Sequence, residues 1–137
     1  MTVLSFIFSL ENLNKYNLGF QYQKKTTMDE IFKSKIIIIL KDDLDPKSST
    51  INIQDYIENG KSFIPIFSTL NKFKESTKGM IKNKIIYIDG ILFLSALHGN
   101  ETLRLDPSLK GETYFKAADL IKKYSADIEG LQKKLKH

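Results

Sequence analysis

The sequence predicts an α/β fold class, and three observations predict it. Residues 36–40 read Ile-Ile-Ile-Ile-Leu, a five-residue apolar run between Lys35 and Lys41. Its length and β-branched composition suit a strand buried on both faces. Residues 51–67 hold two alternating stretches separated by Asn59-Gly60, the strongest short-range hairpin signal. Residues 116–124 place Ala117, Leu120, Ile121 and Tyr124 on one helical face. The 137 residues fit one domain with one core, taken as residues 1–137.

The elements follow in order. Val3, Phe6, Ile7, Leu10 and Leu13 fit a helical spacing, so a helix is expected over residues 3–13, tucked into the core or into a partner. Phe20 and Tyr22 alternate with Gln21 and Gln23, as in a short strand. Thr27 is a candidate N-cap. Asp29 and Glu30 then occupy the first turn, where the helix dipole favours negative charge, and this short helix should end near Lys35. The strand 36–40 comes next, and residues 41–50 form a loop by composition.

Strand 51–57, turn 59–60 and strand 62–67 are expected to make an antiparallel hairpin. Pro65 interrupts the second strand. It has no N–H, so it must sit at a bulge or where its nitrogen faces no neighbour. Phe63 and Phe67 share one face, Ile64 and Ile66 the other. Ser68 or Thr69 should cap a helix over 69–77 with Leu70 and Phe73 inward. Residues 84–88 predict a strand, Asp89 a cap for a helix over 90–97, and Gly99 its stop. Residues 101–105 alternate as a strand that Asp106-Pro107 ends. Residues 113–115 make a short strand or a helix entry. The helix 116–124 can extend through 125–136, since Ile128, Leu131 and Leu135 continue its stripe past Gly130.

Composition narrows the function. The chain has no cysteine, which excludes a disulfide framework and thiolate metal sites. With only His98 and His137, a His-rich metal site is not expected, and no cofactor is implied. The apolar opening is too short for a secretory signal and meets Glu11 and Asn12. No apolar run approaches a membrane span, so a cytoplasmic protein is expected. Charge is uneven. Residues 1–60 carry seven lysines against eight acids, and residues 61–137 carry thirteen lysines and Arg104 against eight acids. A basic half suits an acidic partner, a nucleic acid or simple solubility. A nucleic-acid groove usually shows more arginine and clustered aromatics than this.

Four constellations invite chemistry, and each meets an objection. Asp42, Asp43 and Asp45 resemble part of a calcium loop, but Lys47 and Ile53 stand where Gly and Glu are required. His98 could act as a general base, yet no nucleophile elbow accompanies it, and its place before Gly99 suits a helix C-terminus. Gly60-Lys61-Ser62 ends like a phosphate loop, but Asp55 replaces the required glycine and a strand follows. Lys116, Lys122, Lys123, Lys133, Lys134 and Lys136 could contact an anionic surface; a solvated helix face is the plainer reading. No catalytic residue emerges, and the chain is not expected to be an enzyme. The candidate partner-binding residues are Arg104, Lys116, Lys122, Lys123, Lys133 and Lys134.

Three stretches carry a family resemblance: Phe63-Ile64-Pro65-Ile66-Phe67-Ser68-Thr69, residues 85–92 reading IIYIDGIL, and Leu103-Arg104-Leu105-Asp106-Pro107-Ser108. Together they resemble the N-terminal domain of the SseB (enhanced serine sensitivity) family over residues 26–124, with 125–137 as a helical extension. Asp106 stands where that pattern has Asn, and Leu109 where it has a small residue. The resemblance implies an α+β domain with a mixed, mostly antiparallel sheet and packed helices, and it brings no catalytic residues. It implies a protein-interaction module found beside bacterial toxin or secretion genes. The expected role is therefore a non-catalytic binder, an immunity protein that neutralises a cognate toxin by occlusion through an acidic partner surface. The alternatives are a secretion-system regulator or chaperone-like binder, and a nucleic-acid-binding protein using the basic half.

Overall fold

The computed structural model describes residues 2–6, 27–78, 84–107 and 114–135. In chain order its elements are strand β1 (Thr2–Ser5), helix α1 (Met28–Phe32), strands β2 (Lys35–Ile39), β3 (Thr50–Ile53), β4 (Tyr56–Glu58) and β5 (Lys61–Phe67), and helix α2 (Leu70–Thr77). Strand β6 (Ile85–Asp89), helix α3 (Gly90–Ala96), strands β7 (Thr102–Leu105) and β8 (Tyr114–Lys116), and helices α4 (Ala117–Lys123) and α5 (Ser125–Leu135) follow. The main sheet runs β6-β2-β5-β7-β8, with β4 attached to β5; β1 and β3 form a two-stranded sheet. Every pairing is antiparallel except β5 with β7. The fold is α+β with a mixed, mostly antiparallel sheet.

The all-apolar run is an interior strand, β2, between β6 and β5. Ile36, Ile37, Ile38 and Ile39 are each 1% exposed or less, because both faces of β2 are covered. Ile36 and Ile38 join the larger core, with Ile64, Ile66, Leu103 and Leu105 under helices α1, α3, α4 and α5. Ile37, Ile39 and Phe67 form a smaller core on the opposite face with Tyr56, Phe73 and Ile85. Of the helices described, only α2 contributes to that second face.

Capping reads off locally. Thr27 and Glu30 make a reciprocal capping box at the start of α1. Thr69 caps α2 by accepting the Lys72 N–H at 3.1 Å. Asp89 stands at the N-cap of α3 but makes no side-chain capping bond.

Pro65 sits where the chain changes partners. On one edge β5 pairs with β4 as far as Phe63, then with β2 from Ile66. One step further along the β2–β5 register, residue 65 faces Ile39. The Ile39 carbonyl is already taken, at 3.0 Å, by the N–H of Gln54. A residue without a donor fits there, while the other edge of β5 stays paired with β7 at Arg104.

Several expectations are corrected. Residues 2–5 form a strand, not the start of a helix over 3–13. Leu4 is fully buried while Val3 is half-exposed, and the backbone pairs with β3 from Thr2↔Ile53 to Ser5↔Thr50. The remainder of that span, and the strand expected at Phe20 and Tyr22, lie outside the described residues. The strand expected over 51–57 is two strands, broken at Gln54-Asp55 where Gln54 turns to Ile39. Only its second part forms the hairpin, closed by Asn59 and Gly60 at φ 52° and 78°. Leu70 stands outward at 38% exposure; α2 meets the sheet through Phe73, whose ring packs edge-on against Phe67 at 5.1 Å. The C-terminal helix breaks at Tyr124, which is buried against Phe32 and donates its hydroxyl to Asp29 at 2.6 Å. Its stripe continues beyond the break in buried Ile128 and Leu131.

Candidate functional site

Strand register assembles an aromatic cluster on the thinly covered face. Tyr56 of β4 lies across from Phe63 of β5, Pro65 across from Arg104 of β7, and Arg104 across from Tyr114 of β8. Side chains alternate along strands, so these five project to the side opposite Leu103 and Leu105. The Tyr56 and Phe63 rings stack at 6.3 Å, and Phe63 meets Tyr114 edge-on at 5.9 Å. The Arg104 guanidinium packs beside both rings, 5.5 Å from Phe63 and 5.0 Å from Tyr114.

Hydrogen bonds fix the arginine. Its Nη1 donates to Glu58 Oε2, its Nη2 to the Pro107 carbonyl at 3.3 Å, and the Tyr114 hydroxyl donates to the same Glu58 oxygen at 3.1 Å. Arg104 Nε is buried without a hydrogen-bond partner among the described residues. Loss of solvent raises the Tyr114 hydroxyl above its usual range, the Glu58 bond adds to this, and Arg104 opposes it. Burial also pushes the Tyr56 hydroxyl up. Both phenols are therefore neutral at physiological pH, and Tyr114 keeps 40% of its surface exposed.

The sequence-derived binding residues divide. Arg104 belongs to the cluster, and Lys116 shares the face of Tyr114, two residues along β8. Lys122 and Lys123 on α4, with Lys133 and Lys134 on α5, are exposed on the helical layer across the sheet. Lys123 lies over the Tyr124 ring at 5.6 Å, with Met28 Sδ at 3.5 Å. No single basic surface contains all six. The aromatic rings beside Arg104 were missed in the sequence because residues 56, 63, 104 and 114 meet only through register.

The other candidates occupy ordinary structural roles. Asp42 accepts from Asn52 at 2.6 Å, Asp43 pairs with Lys84 at 2.9 Å, and Asp45 accepts the Lys47 N–H. The His98 ring lies 3.3 Å from the Val3 carbonyl, at a polar cavity of about 380 Å³ that Asp55, Ser62 and Glu101 also line. Glu101 accepts the backbone N–H groups of His98 and Gly99, and Thr2 donates to Asp55. Among the described residues no cluster of three metal-ligating side chains occurs, and no helix is long and apolar enough to cross a membrane. The chain matches no protein-family model, no curated protein and no solved structure.

Proposed function

We propose that this chain is a non-catalytic protein-binding module whose working surface is the open sheet face around Arg104. The observation that carries the reading is the ring cluster around Arg104, in which Phe63 is the buried base and Tyr114, 40% exposed, is the accessible edge, with Tyr56 beside it. Aromatic residues and arginine dominate the centres of protein interfaces. The arginine is already fixed by Glu58, so docking loses little side-chain entropy. The mechanism is occlusion: aromatic rings backed by Arg104 fill the centre of the contact, and Lys116 meets acidic groups at its rim.

Neutralising a cognate bacterial toxin in the cytoplasm is the specific form of this role that the resemblance to the SseB N-terminal domain supports. A secretion-system regulator or chaperone-like binder would use the same face for several clients at lower affinity. A nucleic-acid reading draws its support from the exposed lysines of α4 and α5, and it requires binding that falls steeply with salt.

The test is capture from a nuclease-treated lysate of the native host by the tagged chain. Tyr114→Ala and Arg104→Ala are compared with a combined Lys122, Lys123, Lys133 and Lys134→Gln variant. One stoichiometric protein, released by the first two changes and kept by the lysine variant, is the expected result. Capture of nothing sinks the reading, and capture lost only with the lysines or with nuclease transfers it to nucleic acid.

A further inference from the structure

Beside the aromatic cluster lies an apolar groove of about 130 Å³, between the β4–β5 hairpin and the end of α2. Tyr56, Phe63, Pro65, Phe67, Thr77 and Pro107 line it. The Thr77 hydroxyl donates to the Phe73 carbonyl at 2.9 Å, and the Tyr56 hydroxyl and Ser76 are the other polar side-chain groups of its wall. Most of the wall is thus rings, prolines and aliphatic atoms, with three hydroxyls among them. A nucleobase would bring donor and acceptor edges that find few partners there, a cost that an aliphatic or aromatic side chain does not incur.

The surroundings carry the opposite quality. Lys61 extends β5 on the same face, and Lys74 and Lys78 stand on α2 and at its end; all three are exposed and make no ion pair among the described residues. The two nearby acids are engaged, Glu58 by Arg104 and Tyr114, and Glu75 by Lys72 at 3.6 Å. An apolar socket with surplus positive charge at its rim complements an apolar side chain flanked by acids.

We propose that this groove receives one large apolar side chain from an acidic segment of a protein partner. The inference rests on the reading of the open face as a protein-binding surface, and it names the chemistry that the surface selects. The socket supplies affinity through burial of the anchor, and the lysines exclude partners whose flanks are basic.

The test uses the isotope-labelled full chain and three capped ten-residue peptides. One has a central Leu flanked by four acids, one replaces that Leu with Ala, and one replaces the acids with Lys. The acidic Leu peptide should shift the amide signals of Tyr56, Phe63, Phe67 and Thr77. The Ala peptide should bind about tenfold more weakly, since burial of the Leu side chain is lost. The Lys-flanked peptide should not bind. Ser76→Leu, which places a helix-favouring side chain at the groove wall, should abolish the shifts while the melting temperature shows a folded protein. The Leu–Ala comparison stands even if that variant does not fold. Equal binding of Leu and Ala peptides, shifts confined to α4 and α5, no shifts at all, or stronger shifts of the groove by a thymidine decanucleotide would each overturn the proposal. A native partner released by Tyr114→Ala but retained by folded Ser76→Leu would overturn the groove alone and leave the protein-binding reading in place.

Discussion

Ser68 donates twice to Asp106: its backbone N–H reaches Oδ1 at 2.9 Å and its hydroxyl reaches Oδ2 at 2.7 Å. Both residues are buried, and the pair ties the end of β5 to the end of β7, 38 residues apart. Asp106 holds a left-handed backbone at φ 44°, a conformation that Asp and Asn tolerate best among residues with a Cβ. Asp106→Ala should cost about 2–3 kcal/mol, because two buried donors lose their acceptor and the backbone strain remains. Asp106→Asn keeps one acceptor and the φ preference, so its cost should be less than half as large. Urea unfolding of the two variants decides it, and equal losses would sink the assignment.

Gly90 opens α3 where that helix passes the end of α1. A Cβ at this position would lie 2.3 Å from the Phe32 carbonyl oxygen, and backbone cannot yield as a side chain can. The Gly90 N–H also donates to the Ser34 carbonyl at 2.9 Å, which fixes the approach. Gly90→Ala should therefore destabilise by about 2 kcal/mol or more through forced displacement of α1 from α3, despite the better helix propensity of Ala. Thermal unfolding measures it, and a neutral or stabilising effect would show that the two helices separate freely.

Features set by neighbours in sequence were legible, and features set by partners far along the chain were not. The Ile36–Leu40 run, the Asn59-Gly60 turn and the Thr27 and Thr69 caps depend on a few adjacent residues, and each occurs at its expected place. Val3 and Phe6 fit a helical spacing while Leu4 and Phe6 fit a strand's alternation, and pairing with β3 decides between them. Nothing local marks the break at Gln54, since it follows from the Ile39 carbonyl across the sheet. Charge likewise has no direction in a sequence. Arg104 and the helix lysines counted as one basic set, yet strand alternation sends Arg104 to one face while α4 and α5 pack on the other. Asp106 reads in the sequence as the end of a strand, and nothing local shows that its carboxylate accepts from Ser68, 38 residues away.

Two carboxylates should give opposite pH responses. Burial raises Asp89 above its usual 3.8, with Lys35 opposing. The folded state therefore holds the proton more tightly than the unfolded chain. This contribution is fully present below 3.8 and is lost as pH rises through the elevated folded value. Asp89→Asn should raise the melting temperature at pH 7 and leave it almost unchanged at pH 3. Asp29 is lowered, chiefly by the Tyr124 hydroxyl, then by Lys33 and Lys123, against some desolvation. Its contribution is present above 3.8 and disappears as pH falls through the depressed folded value. Tyr124→Phe should remove most of that acid-side loss. A Tyr124→Phe protein with the same acid profile as the parent would rule out the hydroxyl as the cause.

Arg104 packs against both Phe63 and Tyr114 while bonding Glu58 and the Pro107 carbonyl, so its planarity and its charge act together. A lysine ammonium is a point charge on a flexible stem and cannot face both rings while reaching both oxygens. Its side chain is 21% exposed, which places the ring contacts between exposed and desolvated cases. Arg104→Lys should cost about 1 kcal/mol in urea unfolding. A double-mutant cycle between Arg104→Lys and Tyr114→Leu should show coupling of about 0.5–1 kcal/mol, because each change removes half of the same contact. Glu58 remains half-exposed at 46% and can be solvated when its partner changes, so it should add little to that coupling. Coupling near zero would mean that the ring contacts do not hold the arginine, and that the proposed binding face is not organised in the free chain.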